Sequence, residues 1–146
     1  MKPKYDYIVS ACLAGLNTRF DGTSCKDRKV SELVKRGRAI PVCPELLGGL
    51  SVPRFPAQIV EGEGRDVLNG RSRVTNQEGE DVTEFFTKGA YRFLEIAKLF
   101  NIRKAVMKDE SPSCGCGRVR CSRRTIQGDG VTTSLLRSNG LDVICL

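Results

Sequence analysis

Three stretches of the chain set a thiol among small, turn-forming residues: SACLAG from Ser10 to Gly15, VCPELLGG from Val42 to Gly49, and DESPSCGCG from Asp109 to Gly117. Cys12, Cys43 and Cys114 are far apart in sequence, so a common purpose requires the fold to gather them. Thiolates are soft ligands suited to zinc and to iron–sulfur centres. A four-iron cluster normally takes one cysteine per iron, so three protein ligands leave one iron open. An open metal position can act as a Lewis acid, with sulfur as its natural soft partner. Cys114, Cys116 and Cys121 lie close together, and with Cys43 or Cys12 they also describe a four-cysteine zinc site. Buried cysteine serving as a small hydrophobe is the third reading. Spacing leaves all three open.

The chain has seven cysteines and no histidine. That removes Ser-His and Cys-His dyads, histidine bases and mixed Cys/His zinc sites. The odd count and the absence of a secretory pattern point to reduced thiols in a cytoplasmic protein, with no disulfide framework. The stretch from Lys2 to Cys12 imitates a lipoprotein leader, but its apolar part is short and Asp6 interrupts it. No apolar run is long enough to span a membrane. The net charge of +7 suits an anionic partner, or simply a basic solvated surface.

The elements that must position these thiols alternate. Tyr5–Ala11 and Arg38–Cys43 read as strands, Lys104–Lys108 as a third and the terminal LDVICL as a fourth. Helices are expected from about Lys26 to Gly37, over Asp81–Asn101 and over Gly130–Gly140. In the long helix Phe85, Phe86, Ala90, Phe93, Leu94, Ala97 and Leu99 supply the apolar face, and Asp81 with Glu84 suggests a capping box. Pro44 to Glu80 reads as an ordered loop with room for a small hairpin. The expectation is a single α/β domain over residues 1–146. It has a small parallel, Rossmann-like sheet of about four strands, helices on both faces and a long loop or hairpin insert. In such sheets ligands bind beyond the C-terminal strand ends where strand order reverses. Cys12, Cys43 and Cys114 follow three of the strands, so they can meet on that edge.

The motifs SACLAG…RFDG, VCPELLGGLSVPRFPAQI, GEDVTEFFTKGA and ESPSCG…GDGVT together resemble the bacterial thiouracil desulfidase family, from Ser10 to about Leu136. The resemblance implies a non-redox removal of sulfur from a thiopyrimidine, either thiouracil or its nucleotide, by a [4Fe–4S] enzyme. The cluster ligands would be Cys12, Cys43 and Cys114, with the substrate sulfur on the iron that lacks a cysteine and water attacking the carbon. Glu45, in the family's CPE motif, is then the expected general base. Ser111 resembles the family's active-site serine, and Ser113 could hold substrate or water beside it. Arg19, Arg54, Asp21 and Gly130 fall on motif positions, the last three as substrate-binding residues. The partner would be a small thiopyrimidine or thionucleotide, met by a monomer or a homodimer. The cysteine-rich stretch after SPSCG departs from the family pattern, and a fourth ligand from Cys116 or Cys121 would close the site.

Two other readings compete. Cys114 and Arg120 have the spacing of a cysteine phosphatase or arsenate reductase loop. Cys114 to Cys121 with the nearby arginines also suggests a zinc knuckle that binds nucleic acid. The low aromatic content, 6%, offers few stacking platforms for the latter.

Overall fold

The structure is a computed structural model and describes residues 4–146. Lys2 of the leader-like stretch therefore lies outside the described residues. Four short strands, β1 (Tyr7–Ser10), β2 (Ala39–Val42), β5 (Lys104–Met107) and β8 (Asp142–Cys145), form a parallel sheet in the order β2-β1-β5-β8. Both faces are covered, as expected from their apolar runs. Ile8, Ala105 and Met107 point to one face, where helices α4 (Thr83–Leu99) and α5 (Val131–Ser138) supply Phe86, Phe93, Leu135 and Leu136. The alternate residues Val9 and Val106 face the other way, against Val30, Leu33 and Val34 of α1 (Arg28–Lys35). The chain leaves β1 for β2 on one side and later returns to β5 on the other, so strand order reverses beside β1.

The insert holds more than a loop or a hairpin. Strands β3 (Ala57–Ile59) and β4 (Val74–Asn76) pair antiparallel, with the short helix α3 (Gly64–Leu68) between them. A second hairpin, β6 (Cys116–Cys121) and β7 (Arg124–Asp129), joins β3 to complete a second sheet in the order β4-β3-β6-β7. This hairpin follows the SPSCG motif and was not expected from the sequence.

Two details of α4 also differ from the sequence reading. Phe85 and Leu99 are exposed, because the buried stripe runs through Phe86, Ala90, Phe93, Leu94 and Ala97 and leaves them off it. Asp81 does not form a capping box with Glu84. Its carboxylate accepts instead from the Thr83 N–H (3.0 Å) and hydroxyl (2.6 Å), a tight local turn before the helix. The short helix α2 (Pro44–Leu47) sits directly on α4 at two glycines. A Cβ on Gly48 would lie 1.9 Å from the Phe85 carbonyl oxygen, and one on Gly89 would lie 2.0 Å from that of Pro44. This backbone contact fixes where Cys43 and Glu45 sit.

Candidate active site

Each of the three thiols is placed by a different element. Cys12 lies in a 3-10 turn (Ala11–Ala14) that begins where β1 stops. Cys43 follows β2 directly and caps α2 with extended backbone, ahead of Pro44 in the first turn. Cys114 lies beyond β5 in a loop held from several sides. The Asp109 carboxylate accepts from the N–H groups of Glu110, Cys116 and Arg118 at 2.9–3.0 Å, and the Ser111 hydroxyl accepts from the Cys114 N–H at 2.8 Å. Glu110 takes φ 81°, rare for a residue with a side chain, where that loop bends.

All three thiols open on one cavity of about 880 Å³ on the edge where strand order reverses. None of them is in a disulfide. Burial pushes the Cys12 thiol up to about 11, with further repulsion from Cys25 and Cys43. Burial raises Cys43 and, more strongly, Cys114, whose thiolate would also face Cys43, Cys12 and Glu45. Three gathered thiols that resist ionisation alone become anions readily only when a cationic centre compensates them. The donor set is all sulfur, which fits a zinc or iron–sulfur centre and not a hard cation.

Glu45 stands beside the thiols. Its Oε1 accepts from Arg54 Nε at 3.0 Å and its Oε2 from the Ser113 hydroxyl at 2.7 Å. The pair is mostly buried, with side-chain exposures of 8% for Arg54 and 13% for Glu45. The Ser113 Oγ is also 3.3 Å from the Ser111 Oγ and 3.7 Å from the Cys114 Sγ. A hydrogen-bonded path thus runs from Arg54 through Glu45 and Ser113 to the edge of a thiol.

A profile of the 2-thiouracil desulfurase family matches residues 7–145. This chain belongs to that family. It is 44% identical over 140 residues to the uncharacterized protein YbbK of Bacillus subtilis (strain 168), a match covering 94% of this chain and 93% of that one. Its fold superposes on the solved structure of the [4Fe–4S]-dependent thiouracil desulfidase TudS with a TM-score of 0.84 at 39% identity, covering 97% of this chain and 91% of that one.

Within this desulfurase fold, Cys12, Cys43, Cys114, Glu45, Ser111, Ser113, Arg54 and Arg19 all line the one cavity. Asp21 and Gly130 do not. The Asp21 carboxylate folds back on its own turn, accepting from the Thr23 N–H (3.1 Å) and hydroxyl (2.6 Å). Gly130 is buried behind the SPSCG loop. The first N–H groups of α5 are used by that loop's carbonyls, with Val131 donating to Pro112 (2.8 Å) and Thr132 to Ser113 (2.9 Å). A Cβ on Gly130 would lie 2.6 Å from the Ser113 carbonyl carbon, so the glycine permits the docking that seats Cys114. Arg54 lines the cavity but is engaged three ways, by Glu45, the Ser51 carbonyl (3.2 Å) and the Thr18 carbonyl (3.0 Å). It holds the carboxylate in place.

The expectation that every thiol stays free is overturned, since Cys116 is disulfide-bonded to Cys145. Neither Cys116 nor the buried Cys121 lines the cavity. The zinc knuckle fails on length, because Cys116 and Cys121 are opposite ends of one strand, about 17 Å apart at the usual rise. The phosphatase loop fails too. Arg120 sits on that extended strand and not in a curl around Cys114, and β5 ends at Met107, well before the cysteine.

Sequence reasoning missed the cavity's cationic lining. Lys108, Arg120 and Arg123 face the cavity alongside Arg19, and none of the four makes an ion pair among the described residues. Arg120 and Arg123 belong to a run of basic residues in the sequence, but only the second sheet brings them to the cavity, whereas Arg19 and Lys108 come from loops at the parallel sheet and sit near Cys12. Among the described residues, no helix is long and apolar enough to cross a membrane.

Proposed function

We propose that this chain hydrolytically desulfurises a thiopyrimidine, with a [4Fe–4S] cluster held by Cys12, Cys43 and Cys114. The observation that carries the reading is the meeting of three free thiols, from loops that follow three separate strands, with Glu45 in one cavity. Bound there, the cluster would supply a Lewis-acidic iron without a cysteine ligand to polarise the carbon–sulfur bond.

The chain's own groups do the rest. Arg54 fixes Glu45 Oε1, and Oε2, which accepts from the Ser113 hydroxyl, keeps a second lone pair to take a proton. A water in hydrogen-bond reach of Oε2 loses that proton as its oxygen attacks the thiocarbonyl carbon. The carboxyl then returns it to the sulfur. As the carbon–sulfur bond breaks, the remaining hydroxyl proton is released and the carbonyl forms, so that thiocarbonyl plus water gives carbonyl, hydrosulfide and a proton (together hydrogen sulfide) with no change in oxidation state. Ser111 and Ser113 hold the water or a ring substituent at the thiol edge. The unpaired cations Arg19, Lys108, Arg120 and Arg123 favour a substrate with a phosphate, so the nucleotide is preferred over the free base. Anaerobically purified, cluster-loaded protein given thiouridine monophosphate should release uridine monophosphate and sulfide in equal amounts. Protein with a full complement of iron and sulfide but no turnover of either thionucleotide or thiouracil would refute the assignment.

A further inference from the structure

Behind the Cys114 loop, one cluster of side chains other than the three gathered thiols has the chemistry of a second site, and of its members only Asp109 also lines the cavity. Cys116 opens β6 and Cys145 closes β8, and the Asp109 carboxylate stands beside both. The two sulfurs and one carboxylate oxygen all lie within 4.8 Å of one another. Asp109 is held rigidly, since its Oδ1 accepts from three backbone N–H groups, one of them that of Cys116 itself. Its Oδ2 makes no bond within the chain among the described residues. Cys145 is exposed and gives solvent a way in, whereas Cys116 is buried and shielded.

We propose that these three residues form, in the reduced chain, a site for a zinc-like divalent cation. A dithiol reductant transfers two electrons and two protons to the sulfur–sulfur bond and itself becomes a disulfide. The two thiols that result lose their protons to solvent as the cation binds. Zinc takes sulfur at about 2.3 Å and carboxylate oxygen at about 2.0–2.2 Å, which sets ligand atoms about 3.5–3.8 Å apart around a tetrahedron. The carboxylate oxygen already lies within 4.8 Å of both sulfurs, and with the two Cα atoms 5.6 Å apart the freed sulfurs need only separate by rotation of their side chains to reach that spacing. Two thiolates and one carboxylate favour zinc over calcium or magnesium, which prefer oxygen. Water completes the fourth position on the Cys145 side. The end of β8 is thereby tied to the loop that carries Cys114 in both states, by a covalent bond when oxidised and by the cation when reduced. This site stands apart from the desulfidase reading and does not depend on it.

The test is an anaerobic zinc titration of cluster-loaded protein before and after treatment with a dithiol reductant, with free thiols counted in each state after the cluster is stripped. Five free thiols describe the oxidised chain, and two more appear on reduction of the bond. The reduced chain should bind one more equivalent of zinc than the oxidised chain, which needs no substitution as a control. Cys145→Ser should lack that equivalent. Asp109→Asn should weaken it about tenfold or more, since loss of even an outer partner of a ligand costs that much. Equal zinc uptake by the two redox states overturns the site. So does an extra equivalent that survives Cys145→Ser, or an affinity indifferent to Asp109→Asn.

Discussion

The two sheets of this molecule divide the work differently. The parallel sheet is apolar, sealed on both faces, and delivers thiols from the loops that follow adjacent strands. The second sheet has a charged, partly exposed hairpin, β6 and β7, that presents cations to the cavity. Placing ligands demands rigidity, which a buried core provides. Selecting a charged substrate demands unpaired charge near water, which a core cannot hold. The cavity exists because one sheet of each kind faces the other.

This division can be broken most severely from the parallel side. Cys12→Ser, Cys43→Ser or Cys114→Ser should each abolish the iron–sulfur absorbance and all turnover, as measured on anaerobically reconstituted protein. Next in size, Glu45→Gln should keep the absorbance while lowering kcat by about 10²-fold or more, the usual worth of a general base. Normal turnover there would remove Glu45 from the chemistry. Arg54→Ala strands the buried Glu45 carboxylate and should cost about 3 kcal/mol of stability by denaturant unfolding.

Changes on the second sheet should be milder and of another kind. Arg120→Ala with Arg123→Ala should raise KM for a thionucleotide several-fold and leave kcat and free thiouracil kinetics unaltered. An equal effect on base and nucleotide would show that the hairpin does not read phosphate. The smallest effect concerns Asp129 at the end of β7. Burial raises its carboxyl above the usual range, Glu63 adds to this, and Arg137 at 3.0 Å only partly offsets it. A raised folded-state value means that the folded chain holds the proton more tightly, so this contribution to stability is present at low pH and fades as pH rises. The stability of the native chain relative to Asp129→Asn should therefore fall between about pH 3 and pH 6. A relative stability that rises over this range would reverse the sign argued here.

The same contrast explains what could be read from the residues alone. The parallel sheet was legible because each strand is a short apolar run, its helices carry stripes such as Phe86, Ala90, Phe93 and Ala97, and each thiol stands just beyond a strand or its loop. The second sheet was not. Its hairpin turns on Ser122 and Arg123, both at positive φ (47° and 66°), where asparagine and glycine are the usual signal. Its strands CGRVRC and RTIQGD look like solvated loop, and β6 meets β3 through the pairing of Ile59 with Cys121, remote in sequence. The disulfide was hidden for a related reason. An odd number of cysteines says nothing about which two a fold will bring together, and Cys145 becomes a neighbour of Cys116 only once β8 lies beside β5. Motif position placed Gly130 and Asp21 among the substrate-binding residues; the fold uses both to shape loops, and neither lines the cavity.

The Ser122–Arg123 turn closes the hairpin that brings Arg120 and Arg123 to the cavity, and it rests on β3, where the Ser122 N–H donates to the Ile59 carbonyl at 3.0 Å and the Arg123 N–H to the Gln58 side chain. An enzyme designer should therefore recut side chains such as Arg123 and leave the ribbon's backbone alone, since that backbone is fastened to β3 and, through Val119 and Glu110, to the loop that holds Cys114.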